Sequence, residues 1–155
     1  MTSRSSPSDP ASPTAGHPSG EALRRARTCW EQSGLDRQEA KRRLKMRAWL
    51  DSRYFSFQAS INALTCVCFL HGRFQLPSHS AVQLASLAQE LDPRFAALGP
   101  SCQALEGVQE RGPYDEARAE AEERAESRDC FRHSESVRKT VRGYLKEHRK
   151  RFFSP

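Results

Sequence analysis

Cysteine and histidine are the side chains whose spacing first invites a chemical reading. Cys66 and Cys68 lie close to His71, and Cys130 stands three residues before His133. Four such ligands in a tetrahedron would hold zinc. The spacing argues against it, because residues 66 and 68 of a helix point about 200° apart and cannot both reach one ion. They read instead as small buried hydrophobes, and no metal or other cofactor is expected. The sequence contains no Gly-rich phosphate loop, no Gly-x-Ser-x-Gly turn and no His-Glu-x-x-His. The acidic run Asp115–Asp129 is interleaved with Arg118, Arg124 and Arg128. That is the pattern of a solvated helix face, not of buried paired carboxylates with shifted pKa values. A non-enzymatic protein is expected.

Two basic clusters remain. Lys41, Arg42, Arg43, Lys45 and Arg47 form the first; Arg138, Lys139, Arg142, Lys146, Arg149, Lys150 and Arg151 form the second. Such runs suit an acidic protein surface, nucleic acid or nuclear import. Tyr144, Phe152 and Phe153 lie among the second set, where aromatic rings could stack on bases. No zinc finger, homeodomain or RNA-recognition signature accompanies them, so base-specific readout is not expected. A formal charge of +6 over 155 residues agrees with an anionic partner.

The elements that must position these groups are read from periodicity. Tyr54 to Leu70 carries no charged residue. Leu50, Tyr54, Phe57, Ile61, Leu64 and Cys68 follow a helical spacing and mark the face that packs on a core or a partner. Burial of each large side chain contributes roughly 1.5–3 kcal/mol. The run falls short of the ~20 apolar residues a membrane span needs. Glu21–Ser33 reads as a short helix carrying Leu23, Ala26 and Trp30 and ended by Gly34. Asp36 and Glu39 read as a capping box that opens a second helix running to His71 and ended by Gly72. Ser80 caps Ala81–Leu91, whose inner stripe is Leu84, Leu87, Ala88 and Leu91. Asp92-Pro93 opens a short turn closed by Gly99-Pro100, and Ser101 caps a piece carrying Cys102, Leu105 and Val108. The last helix carries Tyr114, Ala117, Ala121 and Ala125 as a thin apolar stripe, then Val137, Val141, Tyr144 and Leu145.

The expected fold is all-α: a small helical bundle with two long antiparallel helices, Asp36–His71 and Tyr114–Lys150, bridged by short helices. Residues 1–20 are serine, proline, alanine and glycine and read as a disordered tail; residues 21–153 read as a single helical domain. Five cysteines, an odd number, behind a polar N-terminus suggest reduced thiols in the nucleus or, as the alternative, the cytoplasm. The expected function is a protein-interaction subunit or adaptor of a nuclear complex, using the apolar central helix and the basic helix ends, with other protein subunits as partners. The alternative is a sequence-nonspecific nucleic-acid binder working through the C-terminal basic helix. A membrane is not an expected partner.

Overall fold

The computed structural model describes residues 18–77, 79–111 and 118–148. Within them the fold is all-α: α1 (Gly20–Lys45), α2 (Trp49–Leu70), α3 (Ala81–Leu91), a 3-10 turn (Pro93–Leu98), α4 (Gly99–Arg111) and α5 (Glu120–Glu147). The tail expected over residues 1–20 lies, up to residue 17, outside the described residues. The Ser19 hydroxyl accepts the Ala22 N–H at 3.1 Å and caps α1.

The first two helices differ from their expected boundaries. Gly34 does not end a helix and Asp36 does not begin one; α1 runs through both. A glycine inside a helix costs about 1 kcal/mol, but its neighbours are tied across to α2. The buried Ser33 hydroxyl donates to the Ala59 carbonyl at 2.6 Å. Asp36 accepts from Gln32 at 2.9 Å and from Asn62 at 2.8 Å. The two bonds between α1 and α2, donated by Ser33 and by Asn62, outweigh the local stop signal.

The break falls instead at Met46–Ala48, inside the stretch read as one long helix. Arg47 adopts φ 59°. Its N–H donates to Leu44 O at 3.2 Å, and the Ala48 N–H reaches back to Arg43 O at 2.9 Å. This bond pair is a Schellman helix end, with arginine at the left-handed position that glycine usually fills. No glycine marks the place, so the sequence pattern reads straight through it.

After that turn α2 folds back antiparallel along α1. Their seam is made of small residues: Ala22, Ala26, Ser33 and Ala40 face Ser52, Ser56, Ala59, Ser60 and Ala63, all buried. Small side chains let the backbones approach, and serine hydroxyls bond the opposite carbonyls, as Ser52 does to Ala40 O at 2.9 Å. The same seam decides which way α2 faces. Phe57, Ile61, Leu64 and Cys68 are buried as the spacing predicts, but Leu50 and Tyr54 are 46% and 49% exposed. At that end Arg53 points inward instead, 7% exposed.

α5 runs antiparallel to α1 and parallel to α2. Arg37 pairs with Glu135 and Arg47 with Glu120; Arg53 bonds Ser127, and His71 meets Tyr144. α1 is therefore antiparallel to both α2 and α5, while α2, the second half of the expected Asp36–His71 helix, runs parallel to α5 instead of antiparallel to it. A parallel pair needs a return path, which α3, the 3-10 turn and α4 supply. Arg94 meets Glu147, Ser101 meets His133 and Arg111 meets Glu126, so α4 descends antiparallel to α5. Gly99 and Pro100 begin α4 rather than closing the turn before it, and Ser101 lies inside α4. Proline suits the first turn because its missing N–H would have no helical partner there.

Leu64, Leu84, Phe95, Leu105, Val137, Val141 and Tyr144 are the large side chains of the core, contributed by α2, α3, the 3-10 turn, α4 and α5. Leu84 and Ala88 of α3 are buried, while Leu87 and Leu91 are half-buried. Ala121 and Ala125 are exposed, and Tyr114 and Ala117 lie outside the described residues. The acidic run is not simply a solvated face. Glu123 and Glu126 pair with the buried Arg53, and Glu126 also bonds Arg111 and Arg118. This network replaces apolar packing between α2 and the first half of α5. Among the described residues no helix is long and apolar enough to cross a membrane.

Candidate functional site

The thiols and histidines that opened the sequence reading are used inside the bundle. Cys66, Cys68, Cys102 and Cys130 are buried. Burial pushes Cys68 and Cys130 up to about 11 and Cys102 to about 12, and raises Cys66 further. Their thiolates are thereby disfavoured as nucleophiles or ligands. His71 Nε2 lies 2.5 Å from the Tyr144 hydroxyl, and His133 Nδ1 lies 3.1 Å from Ser101 Oγ. Among the described residues no group of three or more Cys, His, Asp or Glu side chains converges as a metal site would require.

The basic clusters are split by the fold. In the first, Glu39 takes two of the five cations: Arg42 donates to it at 3.0 Å and Arg43 at 2.8 Å. Those two bonds hold the Glu39 carboxyl well below its usual range, at about 2. Arg43 also bonds Asp51 at 3.0 Å. Lys41 and Lys45 are exposed, and the exposed Arg47 pairs with Glu120 at 3.3 Å.

In the second cluster Arg138 is an internal residue, 6% exposed. Its guanidinium donates to Ser33 Oγ at 3.0 Å and lies 4.6 Å from the Trp30 ring centroid. Burial, then the neighbouring Arg142 and Arg37, lower its pKa. It is thus not part of a binding surface. Tyr144 is also buried, 2% exposed, and cannot stack on a base. Lys139, Arg142 and Lys146 are exposed. Arg149, Lys150, Arg151, Phe152 and Phe153 lie outside the described residues.

The fold also extends the cationic surface beyond the two clusters. Arg124, Arg128, Arg132, Lys139, Arg142 and Lys146 recur at helical spacing within about 40° of one direction on α5. They run for ~33 Å along its outer side, at 1.5 Å per residue. Cys130, Ser134, Val137, Val141 and Leu145 occupy the inner side. Glu135, on the same outer line, is taken by Arg37 through bonds of 2.5 and 3.1 Å. Arg132 is paired with Asp129. The other acids of α5 cluster near its start or, like Glu147, turn toward Arg94. The i, i+4, i+8, i+15, i+18, i+22 spacing of those cations was visible in the sequence, but the interleaved acids concealed it.

At the start of this line α5 meets the α1–α2 turn. Leu44, Lys45, Arg47, Trp49, Arg124 and Arg128 surround a cavity of about 290 Å³. The Arg124 guanidinium lies 5.8 Å from the Trp49 ring centroid. Trp49 is the first residue of α2, whose N-cap, Ala48, offers no side-chain bond. Met46, Leu50 and Tyr54, each roughly half exposed, occupy the same end of the bundle. No protein-family model, curated protein or solved structure matches the chain.

Proposed function

We propose that this protein is a non-enzymatic interaction subunit that docks an acidic protein surface on the outer face of α5 and the adjoining α1–α2 turn. The observation that carries the reading is the sorting of charge. Between helices Glu135, Glu123 and Glu126 are taken by Arg37, Arg53 and Arg111, while Lys139, Arg142, Lys146, Lys41 and Lys45 stand exposed outside. Exposed Met46, Leu50 and Tyr54 at one end add apolar area that a phosphate backbone would not need. Nuclear residence, with the cytoplasm as the alternative, belongs to the same proposal and rests on the same cationic surface.

Direct nucleic-acid binding is the second reading, favoured by the length of the α5 line. Six phosphate contacts would cost about a thousandfold in affinity between 50 and 200 mM salt. Affinity purification from nuclease-treated extract, with the intact chain and with a Lys139→Glu/Arg142→Glu/Lys146→Glu variant, separates the two. A protein recovered in stoichiometric amount with the native chain and lost from the variant supports the first reading. Recovery abolished by nuclease, together with steep salt dependence on an oligonucleotide, supports the second. Equal recovery by both chains overturns both.

A further inference from the structure

We propose that the cavity between the α1–α2 turn and α5 is a binding site for a phosphate monoester. Lys45 from α1, Arg47 from the turn, and Arg124 and Arg128 from α5 converge on it with Trp49 and Leu44; these lining residues include no carboxylate, and the nearby Glu120 pairs with Arg47. Arginine forks match phosphate oxygens two at a time, and an ammonium adds a compact charge. At about 290 Å³ the space exceeds a phosphate group and leaves room for a ring, for which the Trp49 indole is a flat wall.

Two further observations point the same way. Arg47 sits at φ 59°, where an L-residue costs roughly 1–2 kcal/mol relative to glycine. Strained backbone of this kind concentrates at ligand-holding positions. The left-handed residue puts a long cation at the mouth of the cavity, where a glycine would place nothing. In addition, Trp49 opens α2, whose N-cap makes no side-chain bond; the acid in its first turn, Asp51, is held by Arg43. Glu120, paired with Arg47 at 3.3 Å, is the carboxylate an incoming dianion would displace.

The site occupies the near end of the proposed docking face and shares Lys45 with it, whereas Lys139, Arg142 and Lys146 further along α5 are not in its lining. The test is calorimetric titration of the full chain with inorganic phosphate, adenosine monophosphate and O-phosphotyrosine, with sulfate as the plain-anion control, at about 0.15 M salt, where distant surface charges are screened. Saturable one-to-one binding, tighter than sulfate, is expected. A preference for adenosine monophosphate assigns the ligand to nucleotides, and a preference for phosphotyrosine assigns it to a modified side chain. Arg47→Gly and Arg128→Ala should each weaken binding tenfold or more, Glu120→Gln should tighten it, and Lys139→Ala/Lys146→Ala should leave it unchanged. Thermal melting of each variant verifies folding. Absence of saturable binding in every arm, binding no tighter than sulfate, or equal loss in the Lys139→Ala/Lys146→Ala variant overturns the proposal.

Discussion

The two ends of α2 solve the same structural problems with different residues. Beyond its C-terminus, Gly72 at φ 73° donates to Phe69 O at 2.9 Å, and Arg73 donates to Cys68 O at 3.0 Å. Before its N-terminus, Arg47 and Ala48 make the equivalent pair of bonds at the end of α1. One turn uses the residue that costs least; the other uses a cation under backbone strain. Packing follows the same division. The far half of α2 buries Ile61, Leu64, Val67, Cys68 and Leu70, whereas the near half buries Ser52, Arg53 and Ser56 beside Phe57 and Ala59 and leaves Leu50 and Tyr54 half exposed. The far end is built for stability. The near end gives up apolar burial and a relaxed turn, and it is where cations, an aromatic ring and exposed apolar side chains meet.

That contrast can be broken by substitution. The largest effect should come from the far half: Leu64→Ala leaves a cavity around a fully buried side chain and should cost about 3–4 kcal/mol in urea unfolding. A loss below about 1 kcal/mol would show the far half to be loosely packed. In the near half, Arg53→Ala removes the cation that Glu123 and Glu126 share. Removing one partner of a buried pair costs about 3–5 kcal/mol. Both carboxylates retain some solvent here, so about 2 kcal/mol is expected from the same measurement. Arg53→Met should recover part of it by packing.

The two turns should respond with opposite signs. Gly72→Ala forces a β-carbon into the left-handed region and should lower stability by about 1 kcal/mol, whereas Arg47→Gly should raise it by a similar amount. Losses in both variants would mean that the Arg47 side chain stabilises the fold more than its backbone strains it. The smallest effect concerns pH. Glu39 has a folded pKa of about 2, below its ordinary value of 4.5. Its contribution is present above about pH 4.5 and lost as pH falls toward 2. The melting-temperature difference between the native chain and Glu39→Gln should therefore shrink from pH 6 to pH 2.5. A constant difference would assign the effect to packing.

Much of the architecture was legible in the residues because helical periodicity and end signals are local. The all-α class, the Ser80 and Asp92 caps, the stop at Gly72, and the inward Phe57, Ile61, Leu64, Val137, Val141 and Tyr144 all follow from neighbours within a few positions. The errors have two causes: a partner distant in sequence overrode the local signal, or a local helix end or start formed without its usual marker. Gly34 stays helical because Ser33 and Asp36 are bonded to α2. The chain turns at Arg47 because helix-ending bonds form there without a glycine. Arg53 replaces Tyr54 inside because glutamates 70 and 73 residues further on await it.

The candidate site divides in the same way. Lys41, Lys45, Lys139, Arg142 and Lys146 could be singled out by charge and period alone. Arg138 could not be separated from them, since only the packing of α1 on α5 brings Ser33 and Trp30 to its guanidinium. Nor does anything local join Trp49 and Arg47 to Arg124 and Arg128. The sequence by itself determined that this chain is helical and basic, and which apolar stripes seek a core, because those properties reside in residue type and spacing. Tertiary structure decided which charges cancel and which gather, because electrostatic pairing depends on distances of a few ångströms between residues far apart along the chain.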